Sequence, residues 1–216
     1  MKKYLLFDFD GTLFDTSPGI ITCMEKVIEE YDITKFSLKD LNLCIGPPLS
    51  WTFETLFGIP HEKVPEAIKY YRKFYNAGEI FHVIPYDGME DCLQSLHESG
   101  YFLSVCSSKP MAACERILEK FSWKKYFDDV CGAIPDVGIE SKEDVLEYFF
   151  SKNPDANRDN TMLIGDTKYD ALGAKEFGID FLGVSYGFGS TDEMDHIGAK
   201  AIVSSPMEVL NYIEGI

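Results

Sequence analysis

The chain has 216 residues, of which 45% are hydrophobic and 26% are charged. This composition is ordinary for a folded globular protein and argues against a disordered or low-complexity chain. Acidic residues outnumber basic residues 36 to 20, which gives a formal net charge of −16. Such a charge disfavours binding to nucleic acid polymers or to anionic membranes, whereas a small anionic substrate would need a local cation at its site.

The predicted elements alternate between short apolar strands and amphipathic helices along most of the chain. In chain order they are a strand at 4–8, helices at 17–31, 51–57, 62–75 and 89–100, a strand at 101–106, a helix at 110–121, a strand at 127–134, a helix at 141–150, a strand at 161–165, a helix at 169–177, strands at 179–184 and 201–203, and a helix from about 206. This alternation predicts an α/β fold: a Rossmann-like parallel sheet with helices on both faces.

The helical block after the first strand interrupts the alternation. It predicts an inserted all-helical domain at 17–85, and an α/β core domain made of 1–16 and 86–216. The six cysteines stand singly, without metal-binding spacing, so we expect them to be reduced and mostly buried. No apolar run approaches the about 18 residues of a membrane span. The four apolar residues before Asp8 are too few for a signal-peptide core, so we expect a cytoplasmic protein.

Two acidic pairs follow predicted strands. Asp8 and Asp10 alternate after the first strand and should lie on one side of an extended segment. Asp166 and Asp170 are four residues apart and would share a helix face if a helix began there. The first pair, followed by Gly11, is equally compatible with a simple turn. Bundled carboxylates at one end of a sheet would need a divalent cation, and oxygen ligands alone favour magnesium over zinc.

A hydroxyl and a lysine occupy two predicted helix starts. Ser107 ends a strand just before the helix that Pro110 opens, where a hydroxyl and backbone N–H groups can hold an anion. Taken alone, a serine at this position is more often a simple helix cap. Lys142 follows the presumed cap Ser141, and a solvated surface lysine is the alternative to a site residue there.

The chain order of these segments resembles the haloacid dehalogenase-like superfamily, whose small cap domain resembles the helical insertion. The most specific parts are Asp8-x-Asp10-Gly11-Thr12-Leu13 and Gly165-Asp166-x-x-x-Asp170. The resemblance implies a phosphate monoester hydrolase, because members that break carbon–halogen bonds lack the second acid, here Asp10. It leaves a phosphomutase of the same superfamily as an alternative.

The resemblance also implies roles for single residues. Asp8 would be the nucleophile that forms an aspartyl-phosphate, and Asp10 would be the general acid and base. Mg²⁺ would be held by Asp8, the Asp10 carbonyl and Asp166, with Asp170 acting through water or behind the direct ligands. Ser107 and Lys142 would hold the phosphoryl oxygens. The further candidates for substrate contact are Gly11, Thr12, Ser108, Lys109 and, in the insertion, Arg72.

The substrate would be a small phosphorylated metabolite. Gly46-Pro47-Pro48-Leu49 and the insertion point resemble phosphoglycolate phosphatases and 5′-nucleotidase-like members. The pair Ser107-Ser108 stands where phosphoglycolate phosphatases usually have Thr-Asn, and Lys142 is followed by Glu143 rather than proline. Both departures favour the nucleotidase-like branch.

Two other classes of protein remain as alternatives. Gly183-Val184-Ser185-Tyr186-Gly187 matches the nucleophile elbow of serine esterases, although few residues follow it to supply the other catalytic groups. A phospho-accepting switch similar to a response-regulator receiver would also gather acids, a hydroxyl and a lysine at strand ends. Its acceptor aspartate, however, follows a middle strand of a much shorter domain.

Overall fold

The computed structural model describes residues 2–215, and the chain divides into two compact units. One unit comprises Met1–Asp15 and Pro85–Ile216, and the other comprises Thr16–Ile84. The boundaries predicted from the sequence differ from these by one residue at each crossing. That the two units are a catalytic core and a cap domain stays a prediction.

Six of the strands build a parallel sheet in the first unit. The described strands are β1 (Tyr4–Phe7), β2 (Phe14–Asp15), β3 (Ile84–Pro85), β4 (Phe102–Pro110), β5 (Asp129–Ala133), β6 (Thr161–Gly165), β7 (Asp180–Val184) and β8 (Ala201–Val203). The sheet has six strands in the order β5-β4-β1-β6-β7-β8, and every pairing is parallel. Because β1 lies between β4 and β6, the carboxyl ends of these three strands meet at one edge of the sheet.

Helices surround this sheet and fill the second unit. They are α1 (Ser17–Glu30), α2 (Leu49–Trp51), α3 (Val64–Ala77), α4 (Met89–Glu98), α5 (Met111–Lys120), α6 (Lys142–Lys152), α7 (Lys168–Phe177), α8 (Thr191–Ile197) and α9 (Pro206–Glu214). In the second unit α1 packs against α3. The predicted α/β class with a parallel sheet is confirmed.

The core explains why the central strands are continuous apolar runs. Leu6 and Leu163 lie in one buried cluster with Val145 of α6 and Ala171 of α7. Phe7 is also fully buried, and because neighbouring residues of a strand point to opposite faces, it faces the other side of the sheet. A strand covered on both faces must be apolar at every position, which is typical of parallel sheets.

One local prediction was wrong, and one helix was not predicted. Pro110 is the N-cap of α5 in an extended conformation and not its first helical residue, because β4 continues to this position. Helix α8 was not predicted, since its seven residues bury only Met194 and so show little periodicity.

All six cysteines are free and buried, as expected from their spacing. Within residues 2–215, no helix has the length and apolar character needed to span a membrane.

Candidate active site

Lys142 lies at the centre of the polar residues that meet at the sheet edge. Its Nζ is 2.6 Å from Asp8 Oδ1 and 2.7 Å from Asp170 Oδ1, and it donates to the Cys106 carbonyl oxygen at 2.8 Å. The side chain is 4% exposed, so the alternative of a solvated surface lysine is wrong. Burial alone would lower the pKa of Lys142, but the charges of Asp170 and Asp8 outweigh it and raise the pKa above its ordinary value. The ammonium group therefore stays charged.

The position of Lys142 follows from the start of α6. The hydroxyl of Ser141 accepts the Asp144 N–H at 3.1 Å, and the Asp144 carboxylate accepts the Ser141 N–H at 2.8 Å. This reciprocal capping box confirms the predicted helix start and makes Lys142 the first helical residue. A cation at the amino end of a helix interacts unfavourably with the helix dipole. Here the two carboxylates that Lys142 contacts compensate this unfavourable interaction.

Three buried carboxylates form one cluster, and two of them contact the ammonium group of Lys142. Asp8, Asp166 and Asp170 each offer an oxygen, and these oxygens lie within 4.8 Å of one another. Burial raises the pKa of Asp8 to about 6, although Lys142 opposes this shift. Burial, together with the charges of Asp170 and Asp8, also raises the pKa of Asp166 well above its usual range. The site thus disfavours its own negative charge unless further positive charge is present.

The two carboxylates at the end of β6 are held in different ways. Asp166 accepts the Thr12 hydroxyl at 3.2 Å and the Phe188 N–H at 2.7 Å. Asp170, the third residue of α7, accepts the N–H and the hydroxyl of Thr167 at 3.0 and 2.7 Å. The condition under which Asp166 and Asp170 would share a helix face is not met, because α7 begins only at Lys168. Asp166 directly follows β6 and Asp170 lies in the first turn of α7, and their carboxylate oxygens lie close to each other.

Two glycines allow loops to approach Asp166 closely. A Cβ atom on Gly11, whose φ is +83°, would lie 2.1 Å from Asp166 Oδ2. A Cβ atom on Gly187 would lie 2.3 Å from Asp166 Cβ and 2.4 Å from the Gly11 carbonyl oxygen. Any larger residue at either position would have to displace the carboxylate or the loop.

The same loop argues against the serine esterase alternative. Ser185 donates its hydroxyl hydrogen to the Val203 carbonyl oxygen at 3.2 Å. The next helix begins only at Thr191, so the strand–turn–helix geometry of a nucleophile elbow is missing from this described segment. Gly187, which suggested the elbow motif, is explained by its approach to Asp166.

The remaining predicted residues fall into three places. The Asp10 carboxylate lies 2.8 Å from Lys109 Nζ. Ser107 is buried, and its Oγ accepts the Lys109 N–H at 3.2 Å. Ser108, next to it, is exposed. Arg72 is an exposed residue of α3 in the second unit, and its contact with substrate stays a prediction.

Some groups that build the site were not predicted. Thr167 precedes Asp170 by three residues, and this capping-box spacing is a signal in the sequence that would have indicated their contact. The Phe188 N–H and the Cys106 carbonyl are backbone groups, so the type of their side chains gives no signal. Only the folded loops show that these groups face Asp166 and Lys142.

Fold and site together define a class of enzyme. Ligands of open α/β sheets bind outside the carboxyl ends of the strands, and here those ends gather a lysine and three buried carboxylates. The family described as haloacid dehalogenase-like hydrolase matches residues 5–184, and the chain belongs to this family. It is accordingly an enzyme, a phosphatase.

Individual relatives agree with this assignment. The chain is 31% identical over 190 residues to a 5′-nucleotidase of Pseudomonas aeruginosa, covering 88% of this chain and 86% of the relative. It is 30% identical over 210 residues to the pyrophosphatase PpaX of Halalkalibacterium halodurans, covering 97% and 95%. Among solved structures, a predicted phosphatase from Clostridium acetobutylicum is 36% identical with a TM-score of 0.92, and the match covers 100% of both chains.

Proposed function

We propose that this enzyme hydrolyses small phosphate monoesters with the help of Mg²⁺ and through transfer of the phosphoryl group to Asp8. The observation that supports this most is the position of Asp8, which follows the central strand and touches a buried, charged lysine beside two further carboxylates. A carboxylate in this setting would be a nucleophile whose direction is set by its contact with Lys142 before substrate binds.

The residues present fit a magnesium ion. Three carboxylates (−3) and Lys142 (+1) leave a charge of −2 when all are ionised, which a divalent cation would balance. All the side-chain donors in this cluster are oxygens, which suits Mg²⁺ better than Zn²⁺. Asp8 and Asp166 would hold the ion with the Asp10 carbonyl, and Asp170 would act behind them. When bound, the ion would offset the repulsion between the carboxylates and the phosphoryl group.

The chain's own residues would carry out two displacements at phosphorus. A carboxylate oxygen of Asp8 attacks, the bond from phosphorus to the leaving oxygen breaks, and that oxygen takes a proton from Asp10. Asp10 then accepts a proton from water, the water oxygen attacks phosphorus, and the bond to Asp8 breaks to release phosphate. Ser107 and Lys142 would stabilise the charge on the phosphoryl oxygens during both steps.

For the substrate we propose a nucleoside monophosphate or phosphoglycolate. The name of the Pseudomonas aeruginosa relative and the two departures at Ser107-Ser108 and after Lys142 support the nucleotide more than phosphoglycolate. Gly11, Thr12, Ser108 and Arg72 stay candidates for contacts to it. A screen of nucleoside monophosphates, phosphoglycolate, sugar phosphates and pyrophosphate by phosphate release would identify the class. Transfer of phosphate to another position of the product, without release, would show a phosphomutase instead.

Acid quenching during turnover of a ³²P-labelled substrate tests the proposed intermediate. The wild-type protein should retain label on Asp8, and Asp8→Asn should retain none and release no phosphate from p-nitrophenyl phosphate. Asp136→Asn, which changes an exposed aspartate of the same unit, is the matched control and should behave as wild type. Chelation by EDTA should stop turnover and added Mg²⁺ should restore it. Activity of Asp8→Asn, or activity indifferent to EDTA, would contradict the proposal.

A further inference from the structure

Lys109 and Asp10 form a second ion pair, in addition to the contacts that Lys142 makes with Asp8 and Asp170. Lys109 Nζ lies 2.8 Å from Asp10 Oδ1, with side chains that are 5% and 21% exposed. The same ammonium group lies 5.7 Å from the centre of the Phe9 ring. A buried ammonium group is costly unless a charged or strongly polar partner compensates it, so the fold fixes these two side chains against each other.

Both ends of this pair are attached to rigid backbone. Lys109 lies at the carboxyl end of β4, and its N–H donates to the Ser107 hydroxyl at 3.2 Å. Asp10 lies in the turn after β1, where the Gly11 N–H donates to the Phe14 carbonyl oxygen at 2.9 Å. The contact therefore restrains the direction of the Asp10 carboxylate and not only its charge.

We propose that Lys109 is a positioning residue that acts through Asp10 and not a residue that binds substrate. This inference rests on the proposed function, in which Asp10 exchanges a proton with the leaving oxygen. Lys109 holds Oδ1 of Asp10, which leaves Oδ2 as the atom that gives and takes the proton. The assignment replaces the role in substrate contact that the sequence suggested for Lys109.

Leaving groups of different basicity separate the two roles. An alkoxide must be protonated as it leaves, whereas p-nitrophenolate leaves without a proton. Lys109→Met should therefore lower kcat/KM for glycerol phosphate roughly 10- to 100-fold, and that for p-nitrophenyl phosphate less than about 3-fold. Lys109→Arg should recover most of the loss. Retained hydrolysis of p-nitrophenyl phosphate shows that the variant is folded.

Lys124→Met is the matched control, because it removes an exposed lysine that pairs with Glu115. It should leave kcat/KM unchanged for both substrates. The deciding comparison is between the two substrates in Lys109→Met, Lys109→Gln and Lys109→Arg. If all three variants lower kcat/KM equally for both substrates, Lys109 acts on the phosphoryl group or on folding. That result would overturn the inference.

A double-mutant cycle with Asp10→Asn completes the test. If Lys109 acts through Asp10, adding Lys109→Met to Asp10→Asn should lower kcat/KM for glycerol phosphate by less than about 2-fold. If the two losses multiply, Lys109 acts independently and the inference fails. If Asp10→Asn alone keeps full activity on glycerol phosphate, the proposed acid is wrong, which is a failure of the proposed function and distinguishable from the first.

Discussion

At the scale of single residues, the environment of Asp8 balances two opposing effects. Burial favours the neutral acid, whereas the ammonium of Lys142 at 2.6 Å favours the carboxylate. Burial prevails, so the pKa of Asp8 rises to about 6. A nucleophile must be ionised, which requires a pH above the pKa of Asp8. The folded protein is instead stabilised at a lower pH, where Asp8 is protonated.

Asp8→Asn should stabilise the metal-free protein at pH 7. Between about pH 4 and pH 6 the folded protein binds a proton at Asp8 that the unfolded chain releases, so the free energy of unfolding falls as the pH rises through this interval. A shift of two pKa units corresponds to about 3 kcal/mol. Urea unfolding in EDTA at several pH values should show this part of the slope lost in Asp8→Asn.

Asp136→Asn is again the control and should keep the wild-type slope. If the free energy of unfolding depends on pH in the same way in wild type and in Asp8→Asn, the raised pKa of Asp8 is contradicted. Saturating Mg²⁺ should reverse the order of stabilities, because an ion that binds the folded state stabilises it and Asp8→Asn removes one of the proposed ligands.

The sequence indicates which charged side chains come together, because their positions follow from predicted strand and helix ends. Asp8, Lys142, Asp166 and Asp170 are charged groups at predicted strand or helix ends, and the structure brings all four together. The pairing of Lys109 with Asp10 could not be predicted. It joins residues 99 positions apart, through the direction of two side chains that only the folded sheet defines.

At the scale of elements, strands and helices differ in how clearly the sequence marks them. The strands at 161–165 and 201–203 were predicted to the residue, because turn-forming or polar residues bound short apolar runs. The carboxyl end of β4 was missed because the residues after Cys106 are mostly polar. The sequence therefore predicts that the strand ends at 106 and that Pro110 begins a helix, whereas the strand continues to Pro110. At β4 the local signal is therefore weak, whereas the end of β6 before Asp166 is clearly marked.

Gly187→Ala tests the loop that closes on Asp166. The added Cβ would lie 2.3 Å from Asp166 Cβ, so the carboxylate or the loop must move. We expect the Mg²⁺ concentration for half-maximal activity to rise roughly 10- to 100-fold, and the free energy of unfolding to fall by about 1–3 kcal/mol. Titration of activity with Mg²⁺ measures the first effect and urea unfolding the second.

Gly78→Ala is the matched control for this substitution. Gly78 has an extended φ of 171°, and no atom lies within 4 Å of a Cβ placed on it. Its Mg²⁺ dependence should equal that of the wild type. A normal Mg²⁺ dependence of Gly187→Ala would show that the loop accommodates a methyl group without moving Asp166.

The caps of α6 and α9 separate stability from activity. Ser141→Ala and Ser205→Ala each remove a serine that accepts a backbone N–H three residues later, so each should cost about 1 kcal/mol of folding free energy. Only Ser141 fixes the turn that bears Lys142. We therefore expect kcat to fall several-fold in Ser141→Ala alone. Equal kcat values for the two variants would show that β4 and the acidic cluster position Lys142 without its helix cap.

At the scale of the whole molecule, the net charge of −16 opposes the site. The protein repels a phosphate dianion at a distance, whereas in the proposed mechanism Lys142 would attract it at contact, together with the bound Mg²⁺. Screening acts mainly on the distant charges, because groups in a buried site are shielded less by salt. The sequence predicts this conflict from composition alone, and the buried Lys142 is the local cation that the proposed function requires.

Salt should therefore lower KM for a phosphate monoester and leave kcat unchanged. Raising the ionic strength from about 0.01 M to about 0.15 M shortens the screening length from about 30 Å to about 8 Å, which weakens the repulsion but not the contacts at the site. Initial rates at constant, saturating Mg²⁺ should show KM falling several-fold, equally with sodium chloride and with tetramethylammonium chloride. A KM that rises with salt would mean that attraction by positive groups near the site outweighs the charge of the whole molecule on the path that the substrate takes.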